Sequence, residues 1–149
     1  MRGLQQCGQR NVEIKEENVK ILLAEQSRAV SFALRRLLEG KGHSVETAYD
    51  GVQALERLQN DTFDLLIAET DLPRINGRSL ARTAKIRGIK VPTIGILPTS
   101  EVTKEDLAES EGMDALLPKP YFAKELLSMI EASVGGGKAG AIPMTVVRW

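Results

Sequence analysis

Short apolar segments alternating with amphipathic helical stretches predict an α/β fold. The expected architecture is (βα)5, a doubly wound domain on a five-stranded parallel sheet. Two further observations point the same way. The connections are short enough to force parallel strands and right-handed crossovers. At 149 residues the chain has room for one domain with a proper core and little else. Five βα units cannot close an eight-stranded barrel.

The elements follow in order. VKILLA (19–24) reads as a buried strand. Ser27 can cap the helix behind it, in which Val30, Ala33, Leu34, Leu37 and Leu38 fall at helical spacing, and Gly40 or Gly42 ends it. SVETA (44–48) alternates as a strand should. Asp50 then caps a second helix with Ala54, Leu55 and Leu58 inward. LLIA (65–68) is the third strand, and a third helix begins near Gly77 with Leu80, Ala81 and Ala84 on one side. TIGIL (93–97) makes a fourth strand, 103–110 a weak polar helix, and ALLP (115–118) a fifth strand. The last helix, 121 to about 134, carries Ala123, Leu126, Leu127 and Ile130 inward. Residues 1–18 are a polar leader, 19–134 the domain, and 135–149 a Gly-rich linker and apolar tail. In that tail Val146, Val147 and Trp149 would gain by burial.

Lysine plus arginine equals aspartate plus glutamate at 20 each, which removes any bulk electrostatic argument for nucleic acid or a membrane surface. The most basic stretch, 78–90, is expected to be the solvated face of a helix. One cysteine, Cys7, excludes an internal disulfide framework and any multi-cysteine metal site. No apolar run approaches the roughly 18–20 residues that span a bilayer, and the leader lacks a signal peptide's apolar core. A soluble, cytoplasmic chain is expected. His43, the only histidine, is expected in a surface loop.

Sites in open α/β sheets form at the carboxyl ends of strands, which directs attention to LLIAETDLPRING (65–77). Several stretches together carry a resemblance. ILLAEQ ends a strand at a pair of polar residues, and the segment 63–77 has Pro73 four residues after Glu69 and closes on Gly77. VPTIGILP and GMDALLPKPY complete the set. Over roughly 18–134 the chain resembles the receiver domain of bacterial two-component response regulators, the CheY-like member of the flavodoxin-like folds.

That resemblance implies a phosphoacceptor aspartate after the third strand, fed by a histidine kinase, and two acids after the first strand that hold Mg²⁺ with it. It also implies a switch Ser/Thr after the fourth strand, an aromatic on the fifth and a lysine after it. Carried over residue by residue, Glu69 takes the phosphoacceptor position, Glu25 and Gln26 the paired acids, Leu97 the switch hydroxyl and Leu116 the aromatic. Only Lys119, followed by Pro120, keeps the family's residue.

Each departure has a physical consequence. Glutamate moves its oxygens by roughly 1 Å, a misplacement that can cost about 10²-fold in rate. Gln26 removes a metal ligand's charge, leaving Glu25, Glu69 and Asp71 as weak Mg²⁺ candidates, so no cofactor is expected. Asp71 is expected to be a solvated turn residue whose carbonyl, more than its carboxylate, could serve. Leu97 has no hydroxyl and Leu116 no ring. Lys119 is expected to pair with Glu69, Glu25 or both; the alternative is a decayed site with Glu69 solvated.

The expected function is therefore a degenerate receiver, a non-enzymatic and phosphorylation-independent interaction module. Its partner would be a histidine kinase, an output protein or another regulator, met on a face that includes Leu116 and Tyr121. Dimerisation stays open, and no nucleic-acid or membrane partner is expected. Two alternatives remain: a working phosphoacceptor using Glu69 or Asp71 with Mg²⁺, and a receiver belonging to a larger regulator or hybrid kinase.

Overall fold

The computed structural model describes residues 18–135 and 145–146. Cys7, most of the predicted leader and linker, and the tail residues Val147 and Trp149 lie outside the described residues. Strands β1 (Lys20–Ala24), β2 (Ser44–Ala48), β3 (Leu65–Glu69), β4 (Thr93–Leu97) and β5 (Ala115–Pro118) alternate with five helices. These are α1 (Arg28–Gly40), α2 (Gly51–Asn60), α3 (Gly77–Ile86), α4 (Lys104–Glu109) and α5 (Ala123–Ile130). A two-residue strand, β6 (Thr145–Val146), extends the predicted five to six. The sheet order is β2-β1-β3-β4-β5-β6 and every pair is parallel.

Strand order reverses between β1 and β3, which opens a crevice at their carboxyl ends. Burial grades with position in the sheet. Central β3 and β4 are buried at all five positions, whereas the edge strand β2 is buried only at Val45 and Ala48. Continuous apolar runs such as LLIA and TIGIL are what a strand covered on both faces requires.

The two faces bury separate clusters. On one, Leu38 of α1 and Leu126, Met129 and Ile130 of α5 pack on Ile21, Leu23, Leu65, Ile67, Ile94 and Leu117. On the other, Ala54 and Leu58 of α2 and Leu80 and Ala84 of α3 pack on Leu22, Ala24, Leu66 and Ala68. Odd and even strand positions thus serve opposite layers, as a period of two dictates.

Local cap chemistry sets the helix starts. The side chains of Ser27, Asp50, Asn76 and Thr103 accept hydrogen bonds from the backbone N–H groups of Val30, Gln53, Ser79 and Asp106. Helix α4 buries no residue of its own. It is held instead by Arg78 of α3, whose guanidinium lies 3.0 Å from Asp106, 3.1 Å from Ser110 and 3.6 Å from Glu109.

Three details differ from the sequence reading. In α1 the inward residues are Ser31, Leu34 and Leu38, while Val30 and Ala33 are exposed. The short connection from β1, pinned by the Ser27 cap, fixes the helix's rotation, so its seam does not follow the apolar count. In α5 Ala123 is exposed and Met129 takes a core place, and the helix passes at Glu131–Gly135 into a π-helical turn. His43 is half-buried and its Nδ1 accepts a hydrogen bond from the Val19 N–H at 3.2 Å.

Gly77 allows α3 to start against the end of β3. A Cβ there would lie 2.0 Å from the Glu69 carbonyl oxygen. Gly77→Ala is expected to lower stability by about 1–3 kcal/mol through overpacking. Gly40→Ala, where a Cβ meets nothing within 4 Å, should leave stability unchanged or slightly raised. Thermal unfolding of the two variants beside the parent checks the contrast.

Candidate functional site

The crevice collects side chains from three strand ends. Glu25 follows β1, Glu69 ends β3, and Lys119 follows β5. The backbone of Glu25 is fixed by its N–H donating to the Ala48 carbonyl at 3.0 Å. Its carboxylate is buried and accepts from the Ser27 N–H at 2.9 Å, which ties the acid to the start of α1. At β3 the Thr70 N–H donates to Ile96 O and the Gly77 N–H to Thr70 O, so the loop leaves the strand in a fixed direction.

Glu69 is buried, which rules out the solvated strand-end alternative. Its two oxygens are engaged separately. Oε1 accepts the backbone N–H of Gln26 at 3.1 Å, and Oε2 lies 3.1 Å from Nζ of Lys119. One side chain from the middle of the sheet thus joins the ends of β1 and β5.

Glu25 faces the same spot. Burial pushes its carboxyl above the ordinary 4.5, as does the charge of Glu69, against the opposing pull of the Ser27 N–H and the Lys119 ammonium. Among the described residues Lys119 pairs with Glu69 and not with Glu25. Tyr121, half-buried beside them, is pushed up to about 12 by burial and then by the charges of Glu25 and Glu69.

The other candidate residues are placed differently. Gln26 contributes its backbone N–H while the residue itself is exposed. Asp71 is exposed on the loop after β3. Pro120 is exposed and its peptide bond to Lys119 is cis. Leu97 is buried together with Ala81, Met113 and Leu116. Leu116 is fully buried, so the expectation that it lies on a partner face is incorrect. The reason is local: Met113 folds over Gly95, where a Cβ would come 2.2 Å from its sulfur and 3.0 Å from Leu116 Cδ2.

Sequence reasoning missed the Gln26 amide and the Met113 plug. A backbone donor leaves no trace in residue type. Gly95 did offer a signal, since a glycine inside a strand marks a close approach.

Magnesium calls for an octahedral oxygen set rich in carboxylate and water. Here both Glu69 oxygens face donors, a lysine ammonium sits against one of them, and Gln26 has no carboxylate to add to the buried pair. Among the described residues no three of His, Cys, Asp and Glu gather as metal ligands would. The donor set does not fit Mg²⁺, and no step is derived through it.

The doubly wound sheet with a carboxylate–lysine crevice at its switch point defines a receiver. The family model for the response regulator receiver domain matches residues 21–131, and the chain belongs to that family, the receiver domains of two-component signalling. It is similar to the response regulator MprA of Mycobacterium bovis BCG, with 35% identity over 115 residues, 77% of this chain and 50% of that protein. The chain thus spans about half the length of the curated relatives it matches. The receiver domain of a signal transduction histidine kinase from Syntrophus aciditrophicus superposes with a TM-score of 0.69 at 28% identity, covering 80% of this chain and 92% of that one. The receiver of sensor histidine kinase PA1611 from Pseudomonas aeruginosa gives 0.70 at 25% identity, over 79% and 98%, and carries magnesium in its active-site cleft.

Two outcomes are expected. Lys119→Met strands the buried Glu69 carboxylate and should cost about 1–3 kcal/mol. That is less than the roughly 3–5 kcal/mol for a fully buried pair, since Lys119 is 36% exposed and screened by water. Urea unfolding of Lys119→Met against the parent measures it. The second concerns Glu25, whose raised value means the folded chain binds the proton more tightly than the unfolded one. Its contribution to stability is full below about 4.5 and is lost as pH rises through the folded value. Glu25→Gln should therefore raise Tm by a few degrees near pH 7–8, with the gain vanishing as pH falls toward 4.5. Paired melting curves across that range read it directly.

Proposed function

We propose that this receiver is degenerate and acts as a phosphorylation-independent protein-interaction module in a two-component pathway. The observation that carries the reading is the engagement of both Glu69 oxygens, one by the Gln26 N–H and one by Lys119. A phosphoryl acceptor needs a free oxygen in line with phosphorus and a cation to shield the approaching charges. In this crevice the lysine already supplies the positive charge and the second oxygen is held by an amide.

The apolar cluster of Leu97, Met113 and Leu116 supports the same reading. It offers no hydroxyl to follow a phosphoryl group and no ring to swing, so the β4–β5 end of the sheet has a fixed packing. The chain serves as a signalling module and not as an enzyme, and its partner is a protein: a histidine kinase, an output protein or another regulator. Phe122, 67% exposed at the start of α5, is the large apolar contact available beside the crevice. Membership in a longer regulator is in keeping with relatives that extend well past the matched region. Among the described residues no helix is long and apolar enough to cross a membrane, and we place the module in the cytoplasm.

Intact mass after incubation with acetyl phosphate and Mg²⁺ tests this. The natural chain should gain no phosphoryl mass. The triple variant Gln26→Asp, Glu69→Asp, Leu97→Thr, which restores the family's residues at those three positions, should gain it. A phosphoryl adduct on the natural chain would overturn the proposal.

A further inference from the structure

The five-stranded core sheet has two edges, and they are guarded unequally. At β2 the strand alternates, and Glu46 lies on the α2 face, 3.8 Å from Lys20 on β1 and 3.8 Å from Arg57 on α2. A charged side chain on an edge strand discourages a second chain from pairing. The β5 strand, Ala-Leu-Leu-Pro, is buried at all four positions and bears no charge. Its only native deterrent is Pro118, which lacks an N–H and leaves Ala115 to Leu117 able to pair. Helix α4, on the flank of this edge, buries no residue and gives it little cover.

That unguarded edge is where β6 lies. Thr145 pairs with Ala115 and Val146 with Leu116, both parallel. Two residue pairs make a light clasp.

We infer that the outer edge of β5 is a strand-docking site whose resident occupant is the chain's own C-terminal strand, a displaceable guard against pairing with a second copy. This holds whether or not Glu69 accepts a phosphoryl group, since the edge lies outside the crevice. The chemistry that recognises it is an extended, uncharged backbone, and specificity resides in the main-chain ladder.

The test uses the full chain and its Thr145→Pro/Val146→Pro variant, with a chain ending at Gly140 as a second form. Amide exchange by NMR reads the outward N–H of Leu116, with those of Ala115 and Leu117 facing β4 as internal references, and light scattering reads mass. Amides of β1 and β3 in the same spectra report that the core is intact. The full chain should be monomeric with a protected outer edge. In both altered forms the Leu116 amide should exchange roughly tenfold faster or more, and the chain should self-associate. A synthetic peptide of residues 141–149 should reverse both changes in the shortened chain. Unchanged exchange would overturn the docked strand, and faster exchange in a chain that stays monomeric would overturn its role as a guard.

Discussion

A single carboxylate holds the working end of this molecule together. Glu69 leaves the centre of the sheet and binds a backbone amide on the β1 side and an ammonium on the β5 side. The electrostatics of the crevice follow from that span. Lys119 is drawn in, Glu25 is left facing a like charge and rises above its usual value, and Tyr121 feels both acids. Glu69 is thus the residue that ties the two sides of the crevice together.

The second constraint is packing on the neighbouring strands. Gly95 has no side chain, so Met113 settles on β4 and closes over Leu116, while Leu97 and Ala81 fill the remaining space. Apolar contacts thus fill this part of the sheet at native density. Nearby α4 is secured differently, by Arg78 reaching Asp106, Glu109 and Ser110 across the surface. Rigid packing lies inside and a polar clamp outside, so the crevice and the outer helix are stabilised by separate means.

Much of the fold was legible because its signals are local. A run such as LLIA has the length and composition of a doubly covered strand, and Ser27 or Asp50 ahead of an apolar period marks a helix start by its own hydrogen bond. The positions of Glu25, Glu69 and Lys119 at strand ends follow from that alternation. What stayed hidden is non-local. The rotation of α1 depends on a short connection, and the burial of Leu116 depends on a methionine three residues earlier and a glycine on another strand. The Gln26 contact is made by a backbone group that every non-proline residue possesses. The pairing of Thr145 with Ala115 spans a helix and a glycine-rich stretch that carries no strand signal.

Glu69 is engaged at both of its oxygens, and the backbone amide of Gln26 reports on that engagement most directly. Its proton and nitrogen shifts can be followed by NMR while Mg²⁺ and beryllofluoride, a phosphoryl mimic, are added to millimolar levels. A Glu69 held at both oxygens predicts that the Gln26 resonance keeps its hydrogen-bonded position, with no saturable movement there or at the Lys119 amide. A saturable shift at both, with the Gln26 proton moving as Glu69 lets it go, would contradict the account.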